Sequence, residues 1–386
     1  MIRRIGAEER RARLGVRHRL ALSARAATPE EVADAVVALH ATDPATVFLA
    51  AGARLREPGP GPVERALYED RTLVRMHGMR HTIFVLPADL APVVHASTTR
   101  AAAVRERSRL VKHLAQWANL DERWLGEVEA GTLAALREHG PATANELAVR
   151  EPRLRTRMVV FPGTAQEGPQ GVSTRILRVL GMDGRIVRGR PRGGWTSGQY
   201  EWALAEELPE PSPTAAREDL VRRWLASHGP GTAADLKWWT GWTLTDVRKA
   251  LSAVGAEEVG LDEGPGYVLP GDTVPTAEPE PWAALLPGLD PTPMSRRHRD
   301  WYLPQEHRAD LFDRSGNIGP TVWWNGRIVG GWAQRPDGEI VRRLLEDVPR
   351  EAREAIDAEA ARLAGWVGEV RITPRFRTPL ERELSA

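Results

Sequence analysis

The chain has 386 residues, 42% of them hydrophobic, and a formal charge of +1 at neutral pH, enough apolar content to give roughly two to four domains a core each. It contains no cysteine, which excludes disulfides, thiolate nucleophiles, iron–sulfur clusters and Cys-ligated zinc, and no stretch approaches the ~20 uninterrupted apolar residues of a membrane span. The opening MIRRIGAEERRARLG carries charge without an apolar segment behind it, so the expectation is a soluble cytoplasmic, nucleoid-associated protein with no membrane partner.

In chain order, Thr28-Pro29-Glu30-Glu31 reads as a capping box with proline at the first helical position and predicts a helix to about Leu39. Asp43-Pro44 opens the next helix, which leaves His40, Ala41 and Thr42 in the connector. A third helix is expected around Val63–Tyr68, then a hairpin LVRMHGMRHTIFVLP turning near Gly78 with Arg80, His81 and Thr82 on its returning strand.

LREHGPATANEL (136–147) and LASHGPGTAADL (225–236) match in register as an internal repeat. Each copy reads as an amphipathic helix, a Gly-Pro turn, and a short helix capped by threonine. In the first copy a helix from Ser173, an Asp183-Gly184 turn, a strand Arg185–Arg188, an Arg/Gly/Pro tip and a return through Trp195 follow; the second repeats that order over TLTDVRKALSAVGAEEVGLDEGPGYVLP. Three helices and a two-stranded wing are the plan of a winged helix-turn-helix, and the chain is read as three of them. VREPRLRTRMVVFPGTAQEGPQG (149–171) is an Arg-rich loop or hairpin inserted in the second.

Past the Pro-rich AEPEPW, the meander TVWWNGRIVGGWAQRPDGEIVRRLLED turns at Asn325-Gly326 and Asp337-Gly338, and a helix (about 349–367) and a strand (about 369–373) close a small β-rich domain. The expected domains are therefore 1–122, 123–210, 211–280 and 281–386, in an α+β chain.

The net charge hides a segregation. Residues 71–113 hold eight Arg and Lys against Asp89 and Glu106, residues 150–192 hold ten Arg against Glu151, Glu167 and Asp183, and 257–280 holds seven acids and no base. Such asymmetry points to a polyanion partner. Arg175 and Arg178, three apart on one helix, and Arg188, Arg190, Arg192 and Trp195 on the following wing are the candidate DNA contacts, with Arg80 and His81 on the first wing. Arg296-Arg297-His298-Arg299 reads as a backbone contact or a solvated loop; Trp238, Trp239 and Trp242 read as core. HExxH, GxxxxGK[ST], GxSxG and GxGxxG are all absent, so no metal and no cofactor is expected.

HATDPATVFLAAGAR, LVRMHGMRHTIFVLPADL, GRIVRGRPRGGWTSGQYEWA and LLPGLDP together resemble the winged-helix family that includes the AlkZ and YcaQ DNA glycosylases, over most of the chain. The resemblance implies tandem winged helices plus a small β-barrel in a C-shaped cradle for double-stranded DNA. It also implies excision of bulky or cationic alkylated purines and interstrand crosslinks by a monomer. The family's Gln-Φ-Gln motif lies at the connector between the first two helices, where this chain has His40-Ala41-Thr42. A cationic alkylpurine leaves as a neutral base, so the enzyme has mainly to position water and stabilise an oxocarbenium-like sugar. His40, Thr42 and Asp43 are the candidates, in an open connector. Because both glutamines are replaced, a non-catalytic winged-helix DNA-binding protein or regulator remains the alternative, and a protein-binding winged-helix module stands beside it.

Overall fold

The computed structural model describes residues 2–164 and 167–386. They form a mixed α+β chain of two compact units: residues up to Val74, Phe84–Leu90 and Arg217–Ala386 make the first, and Arg75–Ile83 with Ala91–Ala216 the second.

The first unit begins with α1 (Ala7–Arg17) and α2 (Pro29–Ala35). Thr28 caps α2 by accepting from the Glu31 N–H, as expected, but the helix stops at Ala35 and not near Leu39. Val36 and Val37 are β-branched and poor continuations of a helix; Val37 turns at φ 66°, and Leu39–His40 leave as the short strand β1. α3 (Pro44–Gly52), buried along its whole length, and α4 (Pro60–Tyr68) follow. The hairpin β2 (Leu73–His77) and β3 (Ile83–Pro87) turns at Gly78, with β1 paired to β3 through Leu39 with Val85 and His40 with Phe84. Arg80 and His81 do not lie on the returning strand: Met79–His81 is one turn of 3-10 helix at the tip, with Arg80 and His81 at φ 52° and 62°.

The second unit holds α5 (Ala91–Val94), α6 (Arg100–Ala118), α7 (Glu122–His139), β4 (Ala142–Thr143) and α8 (Ala144–Arg150). The 149–171 insertion contains a hairpin, β5 (Arg157–Val160) with β6 (Gly168–Gly171). Then come α9 (Ser173–Met182), β7 (Ile186–Pro191) and β8 (Tyr200–Leu204), with strand order β4-β8-β7. Leu110, Leu125, Ile176, Leu180 and Trp202 are among its core residues.

The second repeat is α10 (Pro213–His228), α11 (Ala233–Thr240), α12 (Leu244–Ala253) and the hairpin β9 (Glu257–Leu261) and β10 (Gly264–Val268). The sequence repeat becomes the same cap twice. Thr143 and Glu146, and Thr232 and Asp235, each exchange side-chain to backbone hydrogen bonds in a reciprocal box, worth about 1 kcal/mol per helix.

β11 (Ala283–Leu286), α13 (Pro291–Met294), α14 (Arg308–Leu311), β12 (Thr321–Trp324), β13 (Arg327–Gln334), β14 (Ile340–Leu344), α15 (Arg350–Val367) and α16 (Pro379–Leu384) complete the first unit. The four strands form an antiparallel sheet in sequence order. It is open, against the expected barrel; α15 and α16 pack on it. Asn325-Gly326, at φ 44° and 79°, makes the expected two-residue turn. The expected strand at 369–373 is absent. The Gln334 side chain serves that segment in place of a ladder, donating to the Val370 carbonyl at 3.1 Å and accepting from the Ile372 N–H at 2.8 Å.

Half of the charge segregation is spent inside this unit. Arg4 pairs with Asp262, Arg10 with Glu263, and Arg13 and Arg17 both with Asp272, while Ile5 packs with Val259, Leu261 and Val268. The acidic 257–280 stretch therefore binds the chain's own first helix. Trp239 and Trp242 are buried, as expected, whereas Trp238, expected with them in the core, is half-buried at its edge; Arg296, expected on a surface loop, is also buried and donates to the carbonyls of Pro230 and His228.

The deepest ion pair joins Arg54, just past α3, to Asp290, which caps α13; both side chains are 0% exposed. Arg54 also donates to Thr292 Oγ1 and to the carbonyls of His18 and Ala50. Asp290→Ala should cost about 3–5 kcal/mol, because Arg54 then stays buried and charged without its carboxylate. Arg54→Met with Asp290→Ala should recover most of the loss, leaving about 1 kcal/mol for the missing cap. Urea unfolding of the single and double variants measures both.

Candidate functional site

The connector belongs to the first unit. Pairing of β1 with β3 sets His40 opposite Phe84, and the two rings meet edge-on with centroids 5.3 Å apart. His40, expected to stand open, is 9% exposed. Asp43 caps α3 as expected: Oδ1 accepts from the Ala45 N–H at 3.1 Å, and Oδ2 accepts from the Arg375 N–H at 2.8 Å. Both oxygens of this carboxylate are occupied by backbone donors. Burial pushes its pKa up, against the lowering effect of those two N–H groups and of the Arg375 charge. The Arg375 guanidinium also donates to the Thr42 carbonyl at 3.4 Å.

Thr42 is half-buried, and its hydroxyl forms no hydrogen bond among the described residues. Thr46, one turn into α3, donates to the Gly288 carbonyl at 3.0 Å. Beside the connector lies a small crevice lined by Asp43, Thr46, Trp332, Gln334, Ile372 and Pro374. Arg375 and Gln334, which hold the far wall of the connector, went unnoticed in the sequence. No local pattern marks them, because the segment they order is more than 300 residues from Asp43.

The expected cationic residues belong to the second unit. Arg80 is exposed at the hairpin tip. His81 is half-buried and its pKa is lowered by burial first; Glu106 partly opposes this, and Arg178, Arg105 and Arg109 reinforce it. Arg175 on α9 meets His113 Nδ1 on α6 at 2.7 Å, and burial lowers its pKa. The structure thus gathers His81, Arg175 and Arg178 with Arg105, Arg109 and His113 of α6, which the sequence reading had not singled out. A helical signal was available: 105 and 109 are one turn apart, and both are exposed.

The other expected contacts divide. Arg190 is exposed; Arg188 is half-buried, with its Cζ 5.1 Å from the Tyr200 ring centroid and 5.2 Å from that of Trp202. Arg192 is exposed but ion-paired to Glu146 at 2.8 Å and to Glu201 at 2.9 Å. Trp195, expected to offer its ring beside these arginines, is 8% exposed and packs inward.

Among the described residues no cluster of three or more His, Asp or Glu side chains could hold a metal ion, and no helix is long and apolar enough to cross a membrane.

The family described as DNA glycosylase AlkZ-like matches residues 33–366. A protein of Streptomyces sahachiroi named interstrand DNA cross-link repair glycosylase is 27% identical over 216 residues, 52% of this chain and 57% of that protein; the chain thus spans little more than half the length of this curated relative. The solved structure of Streptomyces sahachiroi DNA glycosylase AlkZ superposes with a TM-score of 0.74 at 22% identity, covering 94% of this chain and 97% of that one. At that identity the likeness is one of fold.

The raised Asp43 pKa has a stability consequence with a definite sign. The folded chain holds the Asp43 proton more tightly than the unfolded chain, so this group's contribution is greatest below the ordinary aspartate value and declines as pH rises through the raised folded value. Asp43→Asn still caps a helix but cannot ionise. The stability difference between wild type and Asp43→Asn, from urea unfolding between the aspartate range and neutrality, should move in favour of the variant as pH rises.

Proposed function

The chain belongs to the AlkZ-like DNA glycosylase family, and from that premise we propose that it excises bulky or cationic alkylated purines, interstrand crosslinks among them, from double-stranded DNA. The observation that carries the reading is the match over residues 33–366, which takes in the connector and all three runs of helices and hairpin. Those runs act as winged helices, and the arginines of the second unit take the phosphates.

In the reaction water attacks C1′ of the sugar. The C1′–N9 bond breaks with its electron pair going to the base, which leaves neutral because alkylation had made it a cation. The attacking water's proton passes to His40 or to solvent. Thr42, whose hydroxyl is not committed to the protein, holds the water. Asp43 sets the geometry through its cap and the Arg375 N–H. Lys112, Lys237 and Lys249 lie outside the connector, so water and not an amine is the nucleophile. The near-complete burial of His40 against Phe84 favours a second reading, a DNA-binding protein without turnover.

Duplexes carrying N7-alkylguanine, incubated with the protein and scored for abasic sites, separate the two. Excision is expected, with no borohydride-trapped adduct and about a hundredfold loss or more in His40→Ala with Thr42→Ala. Intact lesions under every condition would leave the second reading, and a trapped adduct would rule out water as the nucleophile. His40→Gln, which restores one amide of the family motif, should retain activity if His40 positions water by hydrogen bonding and lose it if a proton must be taken.

Binding itself should be electrostatic and tolerant of sequence. Affinity for unmodified duplex is expected to fall steeply with salt, and Arg188→Glu with Arg190→Glu to weaken it alike on unrelated sequences. A flat salt dependence in a filter-binding titration would contradict this.

A further inference from the structure

Among the described residues, wherever else a guanidinium is deeply buried, the chain supplies an acceptor. Arg54 has Asp290, Arg10 has Glu263, Arg13 has Glu9 and Asp272, Arg25 has Glu359, and Arg296 has two carbonyls. Arg75 breaks the rule. It lies on β2, where alternation sets it on the buried face with Leu73 and His77. It is 5% exposed, and none of Nε, Nη1 and Nη2 has a hydrogen-bond partner. Its recorded contact is with the Tyr200 ring, 4.9 Å from Cζ to the centroid.

A guanidinium is always charged and carries five N–H donors. Burying it on a ring alone costs far more than the stack returns. The surroundings add positive charge. Arg188 stands 5.1 Å from the same Tyr200 ring, since the β7–β8 register puts Arg188 opposite Trp202, two residues along the strand from Tyr200 on the same face. The Tyr200 hydroxyl, like the Arg75 nitrogens, is buried without a partner. His77, next on the same face of β2, has its pKa pushed down to about 3, by burial first and then by Arg188, Arg178 and His81. It therefore adds no charge of its own, and the neighbouring arginines only add to a lowering that burial begins.

We propose that Arg75 and the Tyr200 hydroxyl, with Arg188 beside them, form a binding site for a tetrahedral oxyanion of the phosphate class, either a DNA backbone phosphodiester or a free phosphate. The planar fork of Arg75 matches two oxygens of such an anion, and the hydroxyl supplies a third donor. Only the choice of the diester as source rests on the DNA reading above; the site itself does not.

The test is thermal unfolding of the full chain in sodium chloride and in sodium phosphate at matched ionic strength. Phosphate is expected to raise the wild-type Tm by roughly 2–4 °C once well above its Kd. Arg75→Met, which keeps the stem and removes the charge, should melt at or above wild type in chloride and ignore phosphate. Arg75→Lys should keep a reduced response, and it carries the test if the methionine variant fails to fold. A wild-type Tm that phosphate moves no more than chloride, or an Arg75→Met variant that responds like wild type, overturns the proposal.

An unmodified duplex then identifies the source. If the diester is bound, Arg75→Met lowers duplex affinity and reduces the slope of log K against log salt by about one. If free phosphate is the ligand, the phosphate response of Tm stays while duplex affinity is unchanged. Excision enters neither measurement, so the site stands or falls separately from the glycosylase reading.

Discussion

The pair of Arg54 and Asp290 is the constraint on which the first unit turns. One guanidinium, wholly out of water, ties the end of α3 to the Asp290 cap, to Thr292 and to the carbonyl of His18 beyond α1. A buried pair of this kind adds little net stability over well-packed apolar residues, but it penalises any arrangement that leaves either charge alone. Its value here is in register. It holds the 286–292 segment against α3, close enough for Thr46 to donate to Gly288, and so fixes the helix whose N-terminus carries the connector.

The same logic governs the charge distribution. The acids at 257–280 meet Arg4 and the arginines of α1, Arg10 and Arg13 buried and Arg4 exposed, and fasten a helix from one end of the sequence beside a hairpin more than 240 residues away. In the second unit, too, many arginines meet local carboxylates: Arg107 pairs with Glu129 and Asp183, Arg153 with Glu151, and Arg192 with Glu146 and Glu201. Arg105 and Arg178 add to burial, the larger cause, in lowering the pKa of His81.

The connector shows a comparable division of labour. A carboxylate at a helix N-terminus can serve the helix or a substrate, and both oxygens of Asp43 already accept backbone N–H groups. The carboxylate is thereby committed to the helix and to the chain at Arg375.

Read by itself, the sequence determined the features that depend on neighbours within one or two turns. The caps at Thr28, Asp43, Thr143 and Thr232, the Asn325-Gly326 turn, the hairpin around Gly78 and the tandem repeat all follow from side chains meeting nearby backbone, and all are present. The burial of Trp239 and Trp242 was legible too, from their place on and beside a short apolar helix. Tertiary structure decided the rest. It paired Leu39 and His40 with β3, kept the C-terminal sheet open beneath helices, covered His40 with Phe84, turned Trp195 inward, and brought Arg375 to Asp43 and Tyr200 to Arg75. Each outcome rests on a partner distant in the chain. Local propensity carries a side chain's preference but not the identity of what will face it, and a charge or a ring takes its function from that partner.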